Sequence, residues 1–140
     1  MNEPSIIPNS AQKMREWLDE LAQELGSEDR NYAYRVMRGH LHAIRDRISV
    51  EETAQLAAQL PILVRGVYYE GWVPARVPGS YRSVDEFLGR IAEEASLVGE
   101  TEASVACQAA SRVLHRHVSE GELDDVIAGL PEELKPLLAG

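Results

Sequence analysis

The chain repeats itself at a spacing of 70 residues without a gap. Glu16 falls on Glu86, Leu18 on Leu88, Ala22 on Ala92 and Glu24 on Glu94. Further on, Ala33 meets Ala103, Ser49 meets Ser119, Glu52 meets Glu122, and Ala58-x-Leu60-Pro61 meets Ala128-x-Leu130-Pro131. A repeat restricts the architecture before any one segment is judged, because each unit must bury its apolar face against another. It carries no chemistry of its own.

Both copies read as helices. Met14, Trp17, Leu18, Leu21, Ala22 and Leu25 recur at the three-four spacing of an amphipathic helix, and Gly26 reads as its stop. Residues 1–10, with two prolines, read as a loose lead-in, so the helix is expected to begin near Ser10 or Ala11. Seventy residues on, Val84, Phe87, Leu88, Ile91, Ala92 and Ala95 repeat the stripe behind Ser83 and Glu86, which form a capping box.

A second helix is predicted from about Asp29 to Asp46, with Ala33, Val36, Met37, Leu41, Ile44 and Ile48 on its apolar side. Arg35, Arg38, His42 and Arg45 project from the opposite face. Its counterpart carries smaller residues, Ala103, Ala106, Cys107, Ala110 and Ser111. Large against small suits facing layers, so the two second helices are expected to touch.

Third helices open at Ser49-Val-Glu-Glu52 and Ser119-Glu-Gly-Glu122, each a capping box, and close at Leu-Pro. Short fourth helices follow, at Ile62 to about Glu70 and Glu132 to Leu138. The expectation is all-α: about eight helices in two pseudo-symmetric four-helix halves, 11–70 and 81–138, joined by a packed-down linker over 71–80, forming one bundle-like domain within 1–140.

Bulk properties narrow the function classes. A chain of 140 residues can bury a core without staples. A net charge of −9 argues against non-specific nucleic-acid binding and against adsorption to anionic membranes. Cys107 is the only cysteine, which suits a reducing compartment. The start lacks the basic and apolar stretches of a signal peptide, and no run approaches the ~18 apolar residues of a membrane span. The expected location is the cytoplasm.

Several runs are distinctive in order and spacing: Asp29-Arg30-x-x-Ala33-Tyr34, Ala57-Ala58-Gln59-Leu60-Pro61, Tyr68-Tyr69-Glu70-Gly71-Trp72, Phe87-Leu88 and Gly121-Glu122-x-x-Asp125-Val126-x-x-x-Leu130-Pro131. Together they resemble a family of small helical bacterial proteins known as a domain of unknown function, number twenty-two sixty-seven. The resemblance runs from about Ala11 to Leu138, and departs from the family pattern at Ile127, where a polar or charged residue is expected. It implies an all-helical cytoplasmic bacterial protein and brings over no catalytic residues.

The candidate sites are few. His40-x-His42 and His115-x-His117 look like ligand pairs, but residues two apart on a helix diverge, so no metal site is expected. His40 lies within an apolar stripe, where a core histidine with hydrogen-bond partners competes with a functional one. Arg65, Tyr68, Tyr69 and Trp72 combine aromatics with an arginine, as interface anchors and ligand pockets both do; they can equally cement the junction before the linker. Arg35, Arg38 and Arg45 with His42 can dock an acidic partner or phosphate, or pair with Glu93, Glu94, Glu100 and Glu102 of this chain. Adjacent carboxylates diverge, no Glu-x-x-His repeat is present, and Cys107 sits among core alanines.

No catalytic set remains and no cofactor is expected. The leading expectation is a non-enzymatic interaction or scaffold module that pairs with itself or another protein. The alternative is a small-ligand or cofactor-binding protein using the cleft between the halves, with Arg65, Tyr69 and His40.

Overall fold

Asp29 starts the helix on which the rest of the molecule is laid. Its carboxylate accepts from the amides of Asn31 and Tyr32, satisfying donors that the first turn leaves open. The helix runs Arg30–Arg45, labelled α2, and contacts α1 (Ile6–Glu24), α4 (Ile62–Tyr69), α5 (Val84–Ala95) and α6 (Gly99–His117). The remaining helices are α3 (Val50–Ala57), α7 (Glu120–Ala128) and α8 (Lys135–Leu138), with short 3-10 turns at Pro74–Arg76 and Glu132–Leu134. The computed structural model describes residues 2–97 and 99–139. Among these there are eight α-helices and no strand.

The predicted stripes form the core. Trp17 and Leu21 of α1, Val36, Met37, Leu41 and Ile44 of α2, Phe87 and Ile91 of α5, and Cys107 and Leu114 of α6 are all buried. The second helices α2 and α6 pack together, with the small residues of α6 admitting the larger ones of α2. On its other side α2 approaches α5 closely at Gly39, where a Cβ would stand 3.2 Å from the Ile91 carbonyl oxygen.

Two local expectations are corrected. Helix α1 begins at Ile6, not near Ser10, so part of the supposed lead-in is helical. Pro8 falls in the first turn, where its missing amide would have had no intrahelical acceptor, and so does not break the helix. The boxes at Ser49 and Ser119 are half-formed. Each serine hydroxyl accepts from the amide three residues on, at 3.1 and 3.2 Å. Only Ser83 and Glu86 complete the reciprocal box. At Ser119 the amide that Glu122 would have reached donates instead to Gln59 Oε1 at 2.7 Å.

Helix ends fall where the turn residues place them. Gly26 adopts φ +69°, and the Ser27 amide returns to the Ala22 carbonyl, closing α1 as a left-handed cap. Leu60-Pro61 and Leu130-Pro131 separate α3 from α4 and α7 from the final turn and α8. Residues 71–83 are held down. The Gly79 amide donates to the Asp46 carbonyl, Arg47 Nε donates to the Tyr81 carbonyl, and the Tyr81 hydroxyl donates to the Ala43 carbonyl.

Candidate functional site

The arginine row of α2 is not an open face. Helix α2 is covered on both sides, and the side chains expected to project into solvent are used to plug helix ends. Arg45 is 4% exposed. Its Nη1 donates to the carbonyls of Tyr68 and Glu70 at 2.9 and 2.7 Å, and its remaining guanidinium nitrogens pair with Asp46. Those carbonyls are orphans of the α4 C-terminus, where the helix dipole also favours a cation. Arg35 does the same for α5, donating to the Ala95 carbonyl at 3.1 Å.

His42 and Arg38 join three helices. His42 Nε2 lies 2.6 Å from the Val67 carbonyl and Nδ1 2.5 Å from Glu94 Oε1. Both ring nitrogens are thus engaged, one by the α4 backbone and one by an α5 carboxylate. Arg38 bonds Glu70 through Nε and Nη2 and lies 3.3 Å from Glu94 through Nη1. The expectation that this row pairs within the chain therefore holds for Glu94. Its other partners, Glu70 and Asp46, were not foreseen.

The Arg65–Trp72 group divides into parts. Arg65 Nε and Nη2 donate to the carbonyls of Ala57 and Leu60, at 2.8 and 3.0 Å, plugging the end of α3. Tyr68 is fully buried, with its hydroxyl donating to the Thr53 carbonyl, and burial raises its phenol well above the usual range. Tyr69 sits between Tyr68 and Trp72, with ring centroids 5.5 and 5.3 Å away. Trp72 is half-buried, and its indole N–H has no acceptor among the described residues.

His40 points away from all of these, into the α2–α6 seam. Its Nε2 lies 3.0 Å from the Ser111 hydroxyl, which donates its one proton to the Leu137 carbonyl at 3.0 Å. The hydroxyl can then only accept, so His40 carries its proton on Nε2. Complete burial lowers its pKa to about 4 and holds it neutral. Beside it burial pushes the Cys107 thiol up to about 12, leaving it protonated and a poor nucleophile. The space left in this seam, between Trp17, Met37, His40 and Ala110, is about 10 Å³. That holds about one water at most, so the seam at His40 has no room for a small ligand. His40, Arg65 and Tyr69 are not brought to one place.

The histidine pairs diverge as their spacing predicts. His115 reaches the Leu138 carbonyl, while His117 meets Glu20 and stacks on Trp17. Among the described residues no group of three or more His, Cys, Asp or Glu side chains is placed to hold a metal ion. No helix among them is long and apolar enough to cross a membrane.

Three features lay outside the sequence-based candidates. The first is a face-to-face pair of carboxyls, Glu52 of α3 and Glu122 of α7, each with an unpartnered buried Oε2. Burial, then the neighbouring Glu52, raises the Glu122 carboxyl to about 7. The second is an apolar groove of about 490 Å³ between the start of α1 and the α3–α4 junction, lined by Ile6, Ala58, Leu60, Pro61 and Ile62. The third is a polar recess of about 280 Å³ between the C-terminus of α2 and the segment 71–81. The signals available in the sequence were the equivalent positions of Glu52 and Glu122 in the repeat, and the apolar Ile6-Ile7 and Ile62-Leu63 pairs flanking prolines.

The fold and these sites define an all-helical protein whose conspicuous charged residues serve mainly as internal helix plugs. Residues 14–137 match the family of uncharacterised conserved proteins DUF2267, and the chain belongs to that family. No curated protein matches it.

Proposed function

We propose that the protein is a non-catalytic interaction module that associates with a second copy of itself through the apolar groove at the α1 start and the α3–α4 junction. The observation that carries this reading is that Ile6 and Ile62, 52% and 51% exposed, line one groove together with Leu60 and Pro61. Clustered exposed apolar side chains of this kind mark docking surfaces. The occupant follows from charge. The one charged residue lining the groove is Lys13, whose ammonium lies 3.5 Å from the Glu16 carboxylate. A nearly neutral apolar patch is complementary to its own copy across a two-fold axis. The surface elsewhere belongs to a chain of net charge −9, which repels its copy.

Within the same reading the chain is one domain of two pseudo-symmetric halves working in the cytoplasm. Contacts that recur at the 70-residue offset support the halves. Arg45 meets the Tyr68 carbonyl as His115 meets that of Leu138. Glu24 meets Arg112 as Glu94 meets His42.

Light scattering on the purified protein over a concentration series tests the groove. The expected result is a concentration-dependent dimer. Ile62→Glu should be monomeric at the same concentrations with an unchanged melting temperature, since Ile62 is exposed and its substitution leaves the core intact. A wild-type protein that stays monomeric at about 1 mM, the weak end of specific association, overturns the proposal.

A further inference from the structure

We propose that the recess between the C-terminus of α2 and the segment 71–81 is a binding site for a small organic oxyanion, a carboxylate or phosphate with a short apolar tail. The recess is about 280 Å³, the small end of ligand-pocket sizes. Arg76 and Arg90 supply its cations, and Val73, Val77 and Tyr81 its apolar wall.

The charges there do not cancel. Asp46 is the carboxylate lining the recess, and its oxygens are taken up by Arg45 at 2.8 and 3.2 Å and by Arg90 at 3.0 Å. The nearby Glu70 carboxylate is turned to Arg38. Arg90 uses Nη2 for Asp46 while its guanidinium lies over the Tyr81 ring, 4.4 Å from the centroid, leaving other N–H groups uncommitted. Arg76 is exposed, and while its backbone amide donates to the Val73 carbonyl its side chain makes no hydrogen bond or ion pair among the described residues, so its whole fork is available. In a molecule of net charge −9, two guanidiniums thus share the one Asp46 carboxylate, and a third, that of Arg76, lines the same recess with no partner. A guanidinium fork matches carboxylate and phosphate geometry in a bidentate pair.

The walls are already set for a ligand. The Gly79 amide ties the loop to the Asp46 carbonyl at 2.6 Å, and a Cβ on Gly79 would stand 3.0 Å from that carbonyl and from the Tyr81 ring. Arg47 holds the Tyr81 carbonyl at 2.9 Å, and the Tyr81 hydroxyl is spent on Ala43. Tyr81 therefore presents ring rather than hydroxyl to the recess, which is why an apolar tail is specified. A site whose groups are fixed beforehand loses little freedom on binding.

The test titrates the isotope-labelled full chain with 3-methylbutanoate, 3-methylbutyl phosphate and the neutral 3-methylbutanol, following amide and arginine Nε signals. At least one anion should saturate signals of Val73, Arg76, Val77 and Arg90, and bind about tenfold or more tighter than the alcohol. The tighter anion identifies the head group. Arg76→Gln, which removes no intramolecular contact, should weaken that anion about tenfold and leave the alcohol unchanged. The proposal is overturned if neither anion saturates by about 10 mM, if the alcohol binds equally well, or if Arg76→Gln has no effect.

Discussion

Packing α3 against α7 turns the carboxyls of Glu52 and Glu122 toward each other, with Asp125 on the same helix as Glu122 adding to the field. Two carboxylates facing each other hold one proton between them more readily than two separated ones. Glu122 rises from 4.5 to about 7, so over that interval the folded protein binds a proton that the unfolded chain has released. The associated stability is fully present below pH 4.5 and is lost as pH rises through 7. His40 works in the opposite sense. Its pKa falls from 6.5 to about 4, so its contribution grows as pH rises through that interval. The comparison of variant with wild type removes the His40 contribution. Glu122→Gln should match wild type near pH 4.5 and exceed it by about 1–2 kcal/mol at pH 8, a range reduced because Glu52 is only half-buried. Urea midpoints at the two pH values give the difference directly; a constant offset between the proteins would remove the shared proton from the account.

At the scale of elements, cations at helix C-termini tie the molecule together. Arg35 and Arg45, both on α2, close α5 and α4, and Arg65 on α4 closes α3. Burial decides how much such a contact is worth. Arg45→Lys leaves a buried ammonium unable to serve two carbonyls and a carboxylate at once, and should destabilise by about 2–4 kcal/mol. Arg30→Lys alters an equally bidentate pair with Asp19, but both side chains are more than half exposed, and the loss should be far smaller. Thermal unfolding of the two variants against wild type checks the contrast; equal losses would mean that the plugs add nothing beyond a surface ion pair. This arrangement was only partly legible. Ala33, Val36, Met37 and Ile44 announced the buried stripe of α2 through their period, and Ser49, Ser83 and Ser119 announced helix starts through local chemistry. The polar side of α2 gave no such signal, because whether Arg45 faces water depends on α4, whose carbonyls lie 23 and 25 residues further along. Glu52 and Glu122 were read through the local capping rule, which the α3–α7 contact overrides.

The whole molecule sets the response of both proposed sites to salt, and the two responses have opposite sign. Two copies meeting at the Ile6–Ile62 groove each carry −9, so their long-range interaction is repulsive although the groove itself is nearly neutral. Raising ionic strength from about 20 to about 300 mM shortens the screening length from roughly 20 Å to roughly 6 Å and removes most of that repulsion. Dimerisation should therefore tighten several-fold over this range, as measured by sedimentation equilibrium. An oxyanion in the recess is held by Arg76 and Arg90 against the field of the whole acidic chain, and screening acts on both. The nearby guanidiniums dominate at contact distance, and added chloride competes for them, so anion affinity should fall over the same range. A dimer that loosened with salt would be held by opposite charges, which the groove does not offer, and would place the interface on another face of the molecule.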